Sequence, residues 1–220
     1  MNELELRDSC RANFNKYTRK AFSLIPKIDR PNILDLGCGT GISAILFAEL
    51  TDGIITSIDI DKKSLDWYRE KIERGGLTER IKIINDSILN VKLAERYYSI
   101  ILAEGILHII GFEKGFDRFT RNLKDNGYFL IHDEIGDMRS KQQLFEKYRY
   151  ELIESFILDE KVWWDEYCGC LERKIKEFER YRAGNKDLDN MFQRERSEIE
   201  MYRRDPEEFR SIIYLLKKTR

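Results

Sequence analysis

Between residues 31 and 135, short apolar runs rich in Ile and Leu alternate with charged stretches of helical periodicity. Each unit of run plus stretch takes about 25 to 30 residues, the length of a strand followed by a helix. The alternation therefore predicts a parallel sheet that is covered by helices. The predicted strands are residues 32–36, 54–60, 81–84, 99–103 and 128–131, and the predicted helices are 41–50, 62–74 and 113–123.

The segments on either side of this alternation extend the same domain. Residues 6–24 predict an amphipathic helix ahead of the first strand, and a helix over 139–149 precedes two further strands at 152–158 and 211–216. Helical spacing between those strands, with a turn at Gly184 and Asn185, predicts a helical hairpin. The expected organisation is one domain over 1–220, comprising a helical cap at 1–30, a cofactor-binding core at 31–135 and a helical insertion, or lid, at 161–209.

Charge and hydropathy limit the classes of partner. With 42% hydrophobic residues, a chain of 220 residues can form one well-buried core. The 39 basic and 40 acidic residues leave a net charge of -1, so no overall field attracts nucleic acid or an anionic membrane. The longest uncharged stretch, 36–48, is too short to span a bilayer, and the charged first ten residues do not resemble a signal peptide. We expect a cytoplasmic monomer or homodimer that binds neither nucleic acid nor a membrane.

The cysteines and histidines are few. The four cysteines, Cys10, Cys38, Cys168 and Cys170, lack the spacing of a small disulfide-rich secreted domain. With two histidines, and with a single residue between Cys168 and Cys170, no zinc-site spacing is present. Neither a disulfide nor a bound metal is expected.

The first predicted strand runs into a glycine loop, ILDLGCGTG, and then into a helix. Gly37 and Gly39 allow positive φ and close approach of a ligand to the backbone, beside the free N–H groups of a helix start. A dinucleotide site would place its third glycine at the sixth position of the loop, where this chain has Ile42. Asp35 would repel a pyrophosphate and would suit a ligand that carries an ammonium group. The alternative is a tight strand-to-helix turn without a ligand.

Two further acidic residues follow predicted strands. Asp59, at the end of the second strand, can accept the hydroxyls of a ribose, and Ile60 can lie against an adenine face. Asp86 and the Ser87 backbone N–H follow the third strand and can pair with the adenine amine and a ring nitrogen. Because parallel strands end at one edge of a sheet, these residues are expected to meet there. The alternative for Asp86 is an ordinary turn residue.

Together, the segments ILDLGCGTG, ITSIDID, NDS and YYSIILAEG resemble the class I S-adenosylmethionine-dependent methyltransferases over about residues 14–135. The segments TRKA, EG, IGFE and WW resemble a bacterial and archaeal subgroup of small-molecule methyltransferases of the ubiquinone and menaquinone biosynthesis type. The resemblance implies a Rossmann-like α/β fold with seven mostly parallel strands and an antiparallel last strand. The helical insertion then lies between strands six and seven.

The resemblance also implies roles for individual residues in binding S-adenosyl-L-methionine and its product S-adenosyl-L-homocysteine. In that scheme Gly39 belongs to the same loop as Gly37, and Glu104 lies near the methionine end of the cofactor or near the incoming acceptor. The implied cofactor contacts are Asp35 and the Gly37 carbonyl for the ammonium, Asp59 for the ribose, Ile60 and Ser87 for the adenine ring, and Asp86 for its amine.

Methyl transfer from a sulfonium is a direct displacement, so alignment and exclusion of water are its main requirements. An acceptor that must lose a proton also needs a base, for which His108 is the first candidate by residue type and Glu104 the second. His108 can equally be a packed helix residue. Trp163, Trp164 and Tyr167 are candidate substrate contacts that could favour a cationic acceptor, or they form the apolar side of the insertion. At the end of the fifth strand, one of His132, Asp133 and Glu134 could contact substrate.

The expected function is S-adenosylmethionine-dependent methyl transfer to a small-molecule acceptor. A methyltransferase acting on RNA or protein is one alternative, although the basic residues of the insertion are interleaved with acidic ones. A non-catalytic S-adenosylmethionine-binding protein is the other, because a fold does not dictate a function.

Overall fold

The computed structural model of the protein describes residues 2–181 and 192–220. Seven strands form one sheet in the order β3-β2-β1-β4-β5-β7-β6. Strands β1 to β5 are parallel to one another, whereas β7 is antiparallel to both β5 and β6. The predicted α/β fold with a reversed last strand is confirmed. The strands are β1 (Asn32–Leu36), β2 (Ile54–Asp59), β3 (Ile81–Asn85), β4 (Tyr98–Glu104), β5 (Leu123–Glu134), β6 (Tyr150–Leu158) and β7 (Ser211–Lys218).

Helices cover both faces of the sheet, and the helix before the first strand differs from its prediction. A 3₁₀ turn at Ala12–Phe14 divides it in two, so the single helix expected over 6–24 is wrong. A π-helical turn, Trp164–Cys168, joins α8 to α9. The helices are α1 (Glu3–Arg11), α2 (Asn15–Phe22), α3 (Ile42–Leu50), α4 (Lys62–Arg74), α5 (Leu107–Ile110), α6 (Phe112–Thr120), α7 (Met138–Lys147), α8 (Glu160–Trp163), α9 (Gly169–Tyr181) and α10 (Gln193–Arg204).

The predicted hairpin between β6 and β7 is described in part. Helices α9 and α10 supply its two arms, and Leu171, Ile175 and Ile199 are buried as their helical spacing predicts. The predicted turn at Gly184 and Asn185 lies outside the described residues.

The sheet separates two apolar clusters because its central strands are buried on both faces. In β4, Ile100 and Leu102 pack against α1, α3 and the β6–β7 insertion, whereas Ile101 and Ala103 pack against α6 and α7. This burial on both faces explains why the strand segments are continuous apolar runs in the sequence. It leaves the carboxyl ends of β1, β2, β4 and β5 together at one edge, where the polar residues that follow them gather.

A disulfide between Cys10 and Cys170 contradicts the expectation that the cysteines would be unpaired. It joins α1 to α9 with a Cα–Cα distance of 5.7 Å across a sequence separation of 160 residues. Spacing along the chain carries no information about such a pair, because only the packing of α1 against the insertion brings the two thiols together. Cys38 and Cys168 are free thiols.

In the described part of the chain, no helix combines the length and the hydropathy that crossing a bilayer requires.

Candidate functional site

The glycine loop after β1 forms the floor of the site. Gly37, Gly39 and Gly41 have φ values of +65°, +51° and +79°. A Cβ atom on Gly37 would lie 2.7 Å from Ile106, and one on Gly41 would lie 2.1 Å from Tyr68, so packing excludes side chains at both. A Cβ on Gly39 would meet no described atom within 4 Å. The backbone at Gly39 is therefore open to a ligand.

Asp35, in β1 ahead of this loop, is a buried carboxyl group with one oxygen, Oδ2, that is unpaired among the described residues. Its side chain is 3% exposed, and no described residue donates a hydrogen bond to Oδ2. Burial raises its pKa well above the usual value, and the charges of Glu104 and Asp59 add to that shift. Because an unpaired buried acceptor is costly, a cationic ligand group at this point would be stabilised.

Asp59, at the end of β2, is held in place by the loop. It accepts hydrogen bonds from the Gly39 N–H at 2.7 Å and the Asp61 N–H at 2.8 Å. Each carboxylate oxygen keeps a second lone pair, so hydroxyl groups of a ligand can still bind. Asp61 caps α4 by accepting from the Lys63 N–H at 3.0 Å. The neighbouring Ile60 is 73% exposed and offers an apolar surface at the cavity wall.

Asp86 and Ser87 lie at the same edge of the sheet but do not line the cavity that the other residues share. The Asp86 Oδ1 atom accepts the Ser87 N–H at 2.7 Å, so that donor is already paired. The Asp86 N–H in turn donates to the Asp59 carbonyl at 3.1 Å, which links the ends of β3 and β2. Their role towards an adenine ring stays a prediction.

Above the loop, α1 and the π-helical turn enclose a cavity of about 510 Å³. Asp8 of α1 fixes this cover to the floor, because it accepts hydrogen bonds from Thr40 Oγ1 at 2.5 Å and from Trp67 Nε1 at 2.9 Å. The disulfide at Cys10 holds the same helix to the insertion. Residues from α1, the glycine loop, β2, β4, β5 and the insertion line this cavity, among them Arg11, Asp35, Gly37, Gly39, Asp59, Ile60, Glu104, His132 and Tyr167.

Glu104 ends β4 inside this cavity. Its Oε1 accepts a hydrogen bond from Thr18 Oγ1 at 3.2 Å. Burial raises the pKa of Glu104, and Ser43, Arg11 and Thr18 oppose the shift in that order. A carboxylate with a raised pKa, at the wall of a cavity, can accept a proton from a bound acceptor.

His132 of β5 lines the cavity but is unsuited to proton transfer near neutral pH. The imidazole is 5% exposed, and its Nε2 lies 2.8 Å from Ser211 Oγ. Burial lowers its pKa to about 3, and the Arg11 charge contributes to the shift. The ring is therefore neutral and held in place by its serine partner.

His108, the first candidate for a base, lies on the opposite face of β5 from His132. Its Nδ1 is 2.5 Å from Asp133 Oδ1, and its backbone N–H donates to Asp133 Oδ2 at 3.0 Å. The side chain does not line the cavity, whereas its neighbours Ile106 and Ile109 do. His108 is thus paired with Asp133, and this contact holds the start of α5 against β5. The catalytic role of His108 stays a prediction.

The three aromatic residues proposed for the acceptor are placed differently. Tyr167 lines the cavity. Trp163 donates from Nε1 to Ser211 Oγ at 2.9 Å and packs against Phe14, with 4.8 Å between ring centroids. Trp164 packs against Tyr202 within the helical layer and does not line the cavity.

The structure adds a residue that the sequence did not single out. The Arg11 guanidinium lies 5.9, 5.9 and 5.5 Å from the ring centroids of Phe14, Trp163 and Tyr167. On the sequence Arg11 is one of many charged residues of an amphipathic helix. Only the packing of residues about 150 positions apart shows that it is central.

Comparison with known proteins agrees with this geometry. A family model described as a methyltransferase domain matches residues 33–127, which contain the glycine loop, Asp59 and Glu104. Over these residues the chain is similar to methyltransferase domains. The S-adenosylmethionine-dependent methyltransferase from Geobacter sulfurreducens, solved in complex with S-adenosyl-L-homocysteine, has the same fold, with a TM-score of 0.70. The match covers 92% of this chain and 90% of that one at 16% identity.

Curated relatives that match about half of this chain are named for different substrates. The demethylmenaquinone methyltransferase of Bacteroides fragilis is 30% identical over 117 residues, which are 52% of this chain and 48% of that protein. A ribosomal protein L11 methyltransferase of Thermosipho melanesiensis is 30% identical over 131 residues, which are 59% and 47% of the two chains. The chain thus spans about half the length of these relatives.

Proposed function

We propose that the protein binds S-adenosyl-L-methionine and transfers its methyl group to a small-molecule acceptor. The observation that carries the proposal is the buried Asp35 Oδ2 atom, which has no partner among the described residues, in a cavity that the open backbone of Gly39 also lines. A glycine turn that binds no ligand would not need a buried carboxylate, whereas the ammonium of a methionine group would form the missing hydrogen bond with the Asp35 oxygen. The residues present therefore fit this cofactor.

The residues of the chain divide the binding task. Asp35 and the Gly37 carbonyl hold the ammonium group, Asp59 holds the ribose and Ile60 lies against the adenine. Asp86 and Ser87 are proposed for the edge of the adenine ring. When bound, the cofactor supplies an electrophilic methyl group on a sulfonium. Glu104, whose charge contributes to the raised pKa of Asp35, faces the methionine end of the cofactor.

The chain contributes alignment, exclusion of water and a proton acceptor. The cover formed by α1 and the insertion keeps the acceptor beside the methionine end, and such orientation can contribute roughly 7 to 11 kcal/mol. Glu104 accepts the proton that a hydroxyl or ammonium acceptor must lose, an effect of about 10² to 10⁴-fold. Its hydrogen bond from Thr18 fixes the carboxylate for that task.

The shape of the cavity supports a small acceptor over a protein or an RNA. Its volume of about 510 Å³ is in the usual range for small-molecule sites. The cover over it is tied down twice, by the disulfide and by the contacts of Asp8. A macromolecular side chain would have to enter past this cover.

Calorimetric titration with S-adenosyl-L-homocysteine, S-adenosyl-L-methionine and NAD tests the cofactor, with Asp35→Asn as the matched variant. We expect micromolar binding of the first two by the native protein, none of NAD, and strongly weakened binding by the variant. Binding of NAD alone, or of no nucleotide, contradicts the proposal. A screen of small acceptors for S-adenosyl-L-homocysteine formation, beside ribosomal protein and RNA, then tests the acceptor class.

A further inference from the structure

Arg11 is a cation in the cavity that forms no ion pair with any residue that the structure describes. It is partly buried and lines the cavity, yet no described residue accepts a hydrogen bond from its guanidinium or forms an ion pair with it. Arg7, one turn earlier on α1, is different, because its guanidinium lies 3.2 Å from Glu195 and 3.5 Å from Glu198. The Glu198 carboxylate is also taken by the Tyr167 hydroxyl at 3.0 Å.

Three aromatic rings hold the Arg11 guanidinium in place. Phe14, Trp163 and Tyr167, here called the aromatic cage, have their centroids within 6 Å of its Cζ atom. Contacts of this kind favour a cation and leave its N–H donors free to bind in the plane of the guanidinium. The aromatic cage is thus already occupied by a cation of the chain itself. This argues against the cationic acceptor expected from the same aromatic residues.

The position of Arg11 is on the acceptor side of the site. Its charge lowers the pKa of both Glu104 and His132, at the ends of β4 and β5. The pKa of Asp35, beside the glycine loop, responds instead to Glu104 and Asp59. The register of β1 with β4 pairs Leu36 with Ala103, so Glu104 lies beside the start of the glycine loop, and Gly105, the next residue, lies beside the guanidinium. A Cβ on Gly105 would lie 4.0 Å from the Arg11 Nη2 atom, which places the guanidinium next to the end of β4.

We infer that Arg11 binds a carboxylate group of the acceptor, so that the substrate is an organic acid whose nucleophilic atom lies next to Glu104. This inference rests on the proposed function. A guanidinium offers two parallel N–H donors that match a carboxylate. One free guanidinium beside the acidic Glu104 suits a single negative charge, and a phosphate dianion would be repelled more strongly by that neighbour.

The first measurement separates this inference from the proposed function. S-adenosyl-L-homocysteine and 5′-methylthioadenosine, which lacks the amino-acid group, are titrated into native protein, Arg11→Gln and Arg11→Lys. Failure of native protein to bind either compound counts against the proposed function. We expect the Arg11 variants to bind both compounds as native protein does, which also shows that they fold. If Arg11→Gln weakens binding of S-adenosyl-L-homocysteine alone, Arg11 serves the cofactor carboxylate and the inference is overturned.

The second measurement uses protein saturated with S-adenosyl-L-homocysteine. Acetate, benzoate and phenylacetate are each compared with the corresponding amide by calorimetry. At least one acid should bind native protein about tenfold to hundredfold more tightly than its amide, the effect of hydrogen bonds to a charged group. Arg11→Gln should abolish that preference, and Arg11→Lys should keep part of it.

Arg19→Gln is the matched control. Arg19 also lies on the N-terminal helical segment and carries the same charge, but it is 48% exposed and pairs with Glu49 at 3.0 Å. It should keep the full preference for acids. The inference is overturned if no acid binds better than its amide. It is also overturned if Arg11→Gln and Arg19→Gln lose the preference for acids equally. Tighter binding of inorganic phosphate than of every acid overturns the assignment to a carboxylate.

Discussion

At the scale of single residues, the most informative group is Asp35, because its environment opposes the charge that ligand binding requires. Its raised pKa means that the free protein holds this proton at pH values where a carboxyl group is ordinarily ionised. An ammonium ligand favours the ionised form, so binding should release a proton. We expect calorimetric enthalpies for S-adenosyl-L-homocysteine at mildly acidic pH to depend on the ionisation enthalpy of the buffer.

The same linkage fixes the sign of the pH dependence. Because the ionised form of Asp35 binds, affinity for S-adenosyl-L-homocysteine should weaken as the pH falls through the raised pKa of the free protein. 5′-Methylthioadenosine, without an ammonium group, is the control ligand and should release no proton. Equal proton release for both ligands, or release that persists in Asp35→Asn, would assign the proton to another group.

Asp59 supplies a second prediction at this scale. Asp59→Ala removes the acceptor proposed for the ribose and the hydrogen bond from the Gly39 N–H. Binding of S-adenosyl-L-homocysteine should weaken by about 1.5 to 3 kcal/mol, the range for hydrogen bonds to a charged group. The comparison variant is Asp66→Ala, an exposed carboxylate of α4. Unchanged affinity in Asp59→Ala, measured by calorimetry, would remove Asp59 from the binding site.

At the scale of elements, the disulfide fixes α1 covalently to α9. Linking Cys10 to Cys170 closes a long loop, and such links contribute about 2 to 5 kcal/mol to folding stability. Cys10→Ser should therefore lower the free energy of unfolding in urea by about that amount. Reducing agent should lower the stability of the native protein and leave that of the variant unchanged. Equal curves for oxidised and reduced native protein would show that α1 is held without the bond.

The start of α5 carries a further prediction. His108→Ala deletes the contact between Nδ1 and Asp133 but leaves the cavity lining intact. We expect a loss of about 1.5 to 3 kcal/mol in folding stability, since the partner is a buried carboxylate. Binding of S-adenosyl-L-homocysteine should be unchanged. If turnover with an identified acceptor falls by more than tenfold while stability is unchanged, His108 acts on the substrate.

The elements of the sheet could be predicted from the sequence because each has a local cause. Strand β1 and helix α4 have the predicted bounds, since apolar runs, the glycine loop and the capping Asp61 are all contiguous signals. The division of the first helix at Ala12–Phe14 had no such signal. Burial at Cys10, Phe14 and Thr18 keeps one helical spacing through the turn, so periodicity alone shows a single helix.

The sequence could predict that the residues proposed for the cofactor meet in one place, but not the surroundings of Arg11, for the same reason. Asp35 lies near the end of β1, Gly39 follows β1 and Asp59 ends β2, and the ends of these strands must meet at one edge of a parallel sheet. The environment of Arg11 instead depends on how α1 packs against the insertion, which no local pattern encodes. That packing also places a cation of the chain itself beside Trp163 and Tyr167, two of the candidate contacts for a cationic acceptor, and our inference of an anionic acceptor rests on this arrangement.

At the scale of the whole molecule, the cavity joins segments from both ends of the chain. Arg11 comes from α1, Glu104 from the middle of the sheet and Tyr167 from the insertion, and the disulfide connects the outer two segments. A ligand that contacts all three segments stabilises their assembled arrangement, so its binding free energy should stabilise the complete fold rather than one part.

This coupling predicts a single thermal transition that moves upward with ligand. At a free concentration of S-adenosyl-L-homocysteine 100 times the Kd, the gain is about 2.7 kcal/mol. For a domain of this size that corresponds to roughly 5 to 11 °C in Tm. Scanning calorimetry should show one peak with and without ligand, and NAD at the same concentration should leave it in place. A second peak whose temperature does not change with ligand would mean that the insertion or the N-terminal helices unfold independently. The segments that line the cavity would then not form one cooperative unit.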